Sequence, residues 1–359
     1  MMNLQETAAH AAFLELGLSK SSLKKLLQRF GSALLAWQSL PSDVLQVVDE
    51  KDRANIQEKD EMIFFKHLKK CETESIHSVN LQDADYPILL KEINSPPFVL
   101  FIRGDRHLLS ALHPIAVVGT RKISAYGKQV LYELIPALVR AGATIVSGLA
   151  YGVDSLAHEI ALEHGGKCVA VLGSGVDVIY PAAHRNLAAK IIESGGTIIS
   201  ELPLGMQPLP QFFPARNRIL SGLSKATLVI EAQEQSGSLI TAQFALDQNR
   251  DVYAVPGSIF SEGQRGTNQL ISQGATPILS APSLLQQLHL SSGKTSEVVQ
   301  QLQFDVPEEK ILYEHLREPR SLDELAQSSS LQISQISQLL SMMELKGMVR
   351  GLGQRYVRV

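Results

Sequence analysis

Two arginines flank an asparagine in Phe213-Pro214-Ala215-Arg216-Asn217-Arg218, just inside an expected helix start. Cations at a helix N-terminus oppose its dipole. The placement therefore points to an anionic ligand, or to ion pairs with Glu201 or Glu231, which end neighbouring predicted strands. A third cation, Arg121, follows Gly119 and Thr120 after a run of Ile, Ala and Val. Glycine admits a close backbone approach, threonine offers a hydroxyl, and arginine offers a planar fork matched to phosphate. The helix expected to open near Tyr126-Gly127 would add its N-terminal dipole. The plainer alternative is a Gly-Thr turn with a surface Arg. The spacing is not GxGxxG, so a dinucleotide fingerprint is absent here.

Three more turns repeat the chemistry. Ser147-Gly148 and Gly152 follow a second apolar run, and Gly173-Ser174-Gly175 a third. Ser236-Gly237-Ser238 opens another expected helix, whose first amides can bind an anion or simply be capped by Ser236. Tyr180 can stack on a base with Arg185 on its phosphate, or it can be a core tyrosine. Asp154 and His158 lie four apart, as a helix-borne acid–base pair would; the blander reading is a helix cap and a hydrogen-bonded surface histidine. No metal-ligand spacing, Ser-His-Asp order or P-loop stands out, and no cofactor is expected. Cations and glycine-rich turns converge without an obvious nucleophile, which fits a phosphate-binding cleft better than a catalytic one.

These turns need strands to hold them. Short Val/Ile/Ala runs that break into Gly, Ser or Thr and then into an amphipathic helix are the βα unit of a parallel sheet. Strands are expected at 115–118, 144–147, 168–172, 197–200, 227–231 and 252–255, with helices such as Tyr126–Ala141 and Leu156–His164 between them. A last strand at 276–279 contains Pro277 and must be an edge strand or a strand start. Phe98–Ile102, after the Pro96-Pro97 pair, reads as an edge strand or lead-in. The fold class is α/β: a doubly wound, mainly parallel sheet over 79–290, which the family resemblance drawn below would make an extended Rossmann-like domain. Residues 1–78 read as a small helical domain like a helix-hairpin-helix or sterile-alpha-motif bundle, in which Gly31-Ser32 stops one helix and caps the next. There Lys24, Lys25 and Arg29 read as a solvated face before they read as phosphate contacts. A linker is expected at 291–306, and three helices with a hairpin at 307–359 read as a winged helix.

Composition narrows the class. At 359 residues the chain should hold two or three domains. Lys plus Arg total 33 against 36 Asp plus Glu, so a polyanion site must be a local concentration of cations. The two cysteines, Cys71 and Cys168, make no disulfide framework and fit a reducing cytoplasm. The absence of a membrane-length apolar run and of a signal-peptide pattern agrees with a soluble cytoplasmic protein.

Gly119-Thr120-Arg121, SGLAYGVDSLAH from Ser147, LGSGVDVIYP from Leu172, SELPLG from Ser200, FPARNRILSGLS from Phe213 and SGSLITA from Ser236 together resemble the DNA-processing protein A family, DprA, also called Smf. The segment from Asp83 to Asp105 resembles the lead-in of these proteins. The resemblance implies a Rossmann-like domain that binds single-stranded DNA and no dinucleotide. It implies protection of incoming strands in natural transformation, loading of the RecA recombinase, and a homodimer through the central domain. Arg121 would be the main phosphate contact, with Ser147-Gly148, Gly173, Gly175, Arg216 and Arg218 lining the same pocket. Ala182 departs from the pattern, since many members have a basic residue after Tyr-Pro; Arg185 is the first cation there. A competing reading is a nucleotide phosphoribohydrolase, but its PGGxGT loop is missing: SGSLITA stands in its place, and Pro256-Gly257-Ser258 follows the wrong strand. In the winged helix the third helix would present Ser334, Gln335 and Gln338, and Arg350, Arg355 and Arg358 would lie on the wing. Without an arginine to read guanine, that module is expected to support and not to read sequence.

Overall fold

The apolar runs form strands, and their burial accounts for their composition. After β1 (Ile76–Asn80) and β2 (Val99–Gly104) come β3 (Pro114–Val118), β4 (Thr144–Ser147), β5 (Lys167–Val171), β6 (Thr197–Ser200), β7 (Ala226–Val229), β8 (Asp251–Ala254) and β9 (Thr276–Pro277). β3, β4, β6 and β7 are buried at every position. Strands covered on both faces have no polar side to show, so they read as continuous Val/Ile runs. The structure is a computed structural model and describes residues 4–290, 304, 306–329, 331–346, 348–353 and 355–358.

The nine strands lie in the order β1-β2-β6-β5-β4-β3-β7-β8-β9. From β6 through β9 all neighbours are parallel. Helices Ala125–Arg140, Val153–Glu163 and Arg185–Glu193 cover one face, packing on Ile115, Val117, Ile145 and Leu228. Helices Phe212–Gly222, Gly237–Asp247 and Glu262–Ser272 cover the other, packing on Val118, Val146, Val171 and Val229. Val117 and Val118 thus face opposite layers, as the period of two requires. The doubly wound reading stands.

Two expectations at the sheet margin are corrected. Phe98–Ile102 is not at an edge: β2 lies second, antiparallel to both β1 and β6. The edge is β1, which falls partly inside the stretch expected to be helical. Ile-His-Ser-Val-Asn gives little apolar signal, yet Ile76 and Val79 are buried against neighbouring elements. The N-terminal helices do form as expected, six of them between Leu4 and Glu74. Gly31 closes one in the left-handed region (φ 81°), and the side chain of Ser32 accepts the Leu35 amide to start the next. Lys25 pairs with Asp49 at 2.6 Å.

The bundle core is continuous with the sheet. Trp37 meets Phe13 edge-on at 5.0 Å and stacks near Phe64 at 6.0 Å. The same apolar cluster takes in Val99 and Phe101 of β2, together with Val176 and Leu204 from loops after β5 and β6. At the other end, helices Pro307–His315, Leu322–Ser329 and Ile333–Leu345 precede a hairpin of β11 (Val349–Leu352) and β12 (Arg355–Arg358). Sequence reading missed β10 (Arg320–Ser321), which pairs with β12. The expected linker 291–306 lies outside the described residues apart from 304 and 306. No described helix is long and apolar enough to cross a membrane.

The shared core predicts shared unfolding. Phe101→Ala should cost about 3–5 kcal/mol, and in urea the Trp37 fluorescence and far-UV circular dichroism transitions should move together. A shifted dichroism curve with an unmoved Trp37 curve would show that the bundle folds independently.

Candidate functional site

The chain lays down β3, then β4, β5 and β6 to one side, and returns to place β7 and β8 on the other. The loops after β3 and β7 therefore part, leaving a crevice at the carboxyl edge of the sheet, where open α/β sheets bind ligands. A cavity of about 520 Å³ occupies it. Gly119, Thr120 and Arg121 form one wall, and Ser236, Gly237 and Ser238 another. Tyr180, Arg216 and Asn217 complete it, joined by Phe213, Asp154 and Gln233.

Each wall is held by a hydrogen bond to a neighbouring segment. Thr120 donates its amide to the carbonyl of Glu231 (2.8 Å), and Asn217 donates its side-chain amide to the carbonyl of Gly237 (3.2 Å). Gly152 sits at φ 81°, and a Cβ there would come within 2.3 Å of the Thr120 carbonyl oxygen. It is needed because the Gly119–Arg121 loop presses directly on it.

Arg121 is exposed at the mouth, with its guanidinium carbon 5.6 Å from the centre of the Phe213 ring. Phe213 in turn leans on Tyr180, the centroids 5.6 Å apart. Tyr180 is 43% exposed, so it is not a core tyrosine. One cation and two adjacent rings thus stand at a single opening.

The FPARNR arginines separate. Arg216 is buried and turns inward, donating to the carbonyls of Gly148 (2.8 Å) and Val171 and to Asn217 Oδ1 (3.2 Å). Burial brings its pKa down to about 10, opposed by Asp154; it remains a cation at neutral pH. Arg218 does not line the cavity: it turns away and pairs with Glu201 at 2.6 Å. Of the two acidic partners expected, Glu201 is the one used.

Four glycine-turn residues support the cavity without lining it. Ser147 donates its hydroxyl to the Val117 carbonyl (2.6 Å). Gly148 makes room for Arg216, whose Nη1 would lie 2.4 Å from a Cβ there. Gly173 packs on the Phe213 ring, and Gly175 donates its amide to the Met206 carbonyl (2.9 Å). Arg185 lies in a separate groove with Arg103 and Gln207.

The helix dipole near Tyr126-Gly127 is already met within the chain. Ser124 caps that helix, and the buried Glu231 carboxylate accepts its amide (2.9 Å), its hydroxyl and the Gln264 side chain (3.0 Å). Sequence reading placed Glu231 at a strand end but did not see this role. Ser236 does cap its helix, accepting the Ser238 amide at 3.3 Å.

Asp154 is not a cap. It lies in the first turn after the Gly152 N-cap, and its carboxylate folds back to accept the Gly148 amide at 3.1 Å. Burial pushes its pKa up; Arg216 and hydrogen bonds from the Ala150 and Gly148 backbone and the Ser147 side chain oppose the shift. His158 is fully buried, not on the surface. Burial drives its pKa down to about 3, so it is neutral at physiological pH.

Comparison with known proteins agrees with this architecture. Residues 77–289 match the family described as DNA recombination-mediator protein A, and residues 295–354 match the DprA winged helix domain. The chain belongs to the DNA recombination-mediator protein A family. It is 40% identical to DNA processing protein DprA of Bacillus subtilis over 72% of this chain and 90% of that one. It is 37% identical to Protein Smf of Escherichia coli over 79% and 77%. A solved structure of DprA from Streptococcus pneumoniae superposes with a TM-score of 0.64 at 36% identity, covering 77% of this chain and 95% of that one. For DNA processing protein A from Helicobacter pylori, whose single-stranded DNA binding mode has been described structurally, the TM-score is 0.53 at 31% identity, covering 59% and 95%.

Burial of His158 should make stability depend on pH. An unfolded histidine binds its proton below about pH 6.5, while the folded one resists it down to about 3. Its contribution should be complete above about 6.5 and fall with pH by at most ~1.4 kcal/mol per unit, levelling near 3. Urea midpoints of the native protein and His158→Gln, taken from pH 8 to 4, check this: the difference between them should shrink as pH falls, and a constant difference would refute it.

Proposed function

We propose that the cavity binds single-stranded DNA, with Arg121 as the principal phosphate contact and Tyr180 and Phe213 as base platforms. The observation behind this is the exposed Arg121 guanidinium set over the Phe213 ring beside Tyr180, at the mouth of the switch-point cavity. Single strands are held by cations that follow the backbone and by rings on which bases stack. A duplex keeps its base faces stacked internally and cannot offer them to Tyr180. The single-stranded DNA binding described for the Helicobacter pylori relative supports the same reading.

In this assignment Gly119, Thr120, Asn217, Ser236, Gly237 and Ser238 provide the polar lining. Arg216 adds positive field from beneath, while Ser147, Gly148, Gly152, Gly173 and Gly175 hold the walls in place. The protein acts without catalysis, in the cytoplasm, as a homodimer that protects incoming strands during natural transformation and helps load the RecA recombinase. Family membership supports this wider role.

The experiment is fluorescence anisotropy of labelled oligo-dT over a salt series, with unlabelled duplex as competitor. Arg121→Ala should weaken single-strand binding about 10- to 100-fold, the value of a lost charge-assisted contact. It should also make the log–log salt slope shallower by about 0.7. Undiminished binding by the variant would move the site elsewhere. Release of ribose phosphate from a nucleoside monophosphate by the native protein would replace the proposal with a phosphoribohydrolase.

A further inference from the structure

Arg185 lies away from the main cavity, in a groove of its own. A groove of about 470 Å³ runs beside the Arg185–Glu193 helix toward β2. Its cations are Arg185, exposed at the first position of that helix, and Arg103, half-buried on β2. Gln207 adds an amide, and Val178, Ala188 and Ile192 supply apolar lining.

Charge balance favours an anion here. The lining carboxylate, Asp177, has a buried side chain already matched by Lys70 and by the Gly205 amide. Glu74 reaches Arg103 at 3.3 Å on a 30% exposed side chain, so that guanidinium is only partly committed. Arg185 stands where a helix dipole disfavours a cation, and an anion would offset the cost.

The groove is joined to the cavity by the chain itself. Asp177, Val178 and Ile179 line the groove, and the next residue, Tyr180, lines the cavity. From Tyr180 to Arg185 the chain passes through one 3-10 turn, Ala182–His184, whose two alanines are exposed. The two openings therefore share one loop of the chain, with Tyr180 on the cavity and Val178, Ile179 and Arg185 on the groove.

We infer that this groove is a second phosphodiester station, in which Arg185 and Arg103 hold the backbone of the same single strand after it leaves the central cavity over Tyr180. The inference rests on the single-strand reading of the cavity and extends it. It takes the backbone of a continuing strand, not a separate mononucleotide. The apolar floor contacts bases by shape, without selecting among them.

The test compares oligo-dT of about 4 and about 16 nucleotides, the range of single-strand site sizes. It uses the full chain, Arg121→Ala, and the double variant Arg103→Gln/Arg185→Gln. The native protein should bind the longer strand more tightly. The double variant should keep its affinity for the short strand and lose about 10-fold or more for the long one, with a salt slope shallower by about 1.4 for two contacts. Arg103→Lys/Arg185→Lys should restore most of the loss, which a folding defect would not allow. Equal affinities of native and double variant for the long strand would overturn the inference, as would an equal loss for both lengths. A native protein that binds neither length would instead refute the reading of the cavity.

Discussion

The carboxyl edge of the sheet is organised around one buried guanidinium. Arg216 ties the chain ends of β4 and β5 together by donating to the carbonyls of Gly148 and Val171. Asp154 lies close enough to favour its charge, and itself accepts the Gly148 amide. Each member depends on the others. A buried cation without its carbonyls, or a buried carboxylate without its amide, would bear a desolvation cost with nothing to offset it. Gly148 has no side chain because Arg216 fills that space. The cluster explains why the Ser147-Gly148, Gly173 and FPARNR motifs occur together: they are parts of one support.

The support also determines which group is left to meet a ligand. Arg216 is spent on carbonyls, and Arg218 on Glu201. The N-terminus of the Ala125–Arg140 helix faces Glu231, whose carboxylate holds Ser124. The helix dipole and two of the three prominent arginines are therefore committed internally. Arg121 stays exposed because its loop is fastened from behind, by Thr120 on Glu231 and by close contact with Gly152. A chain of net charge −3 can thus present a positive opening without being basic overall.

Most of the sheet was legible in the sequence because buried parallel strands have a composition of their own. The runs at 144–147 and 197–200 coincide with β4 and β6. β1 was not legible, since Ile-His-Ser-Val-Asn owes its place to pairing with β2 and to contact with the first helix, Leu4–Glu15, both remote in sequence. The arginine roles were half legible. Arg216 and Arg218 are two residues apart on a helix, about 200° around its axis, so both could not face one cavity. Which of them faces inward depends on Gly148 and Glu201, 68 and 17 positions away. Asp154 and His158 misled for the same reason: their spacing was real, but tertiary burial removed them from the surface.

The winged helix shows the same economy of charge. Arg350 lies 4.1 Å from the centre of the Tyr132 ring and 3.8 Å from Glu163; Arg355 pairs with Glu324 at 3.2 Å, and Arg358 lies over Tyr313. All three wing arginines have partners within the chain. The third helix presents Ser334, Gln335 and Gln338, which are exposed. Guanine readout in a major groove relies on Arg or Lys forks, and this surface has none among those positions. On the single-strand reading proposed above, meeting bases falls to the rings around the central cavity. Ring stacking accepts any base, because every base has a π-face. On that reading the protein would follow a strand without reading its sequence, which is what handling arbitrary single strands requires.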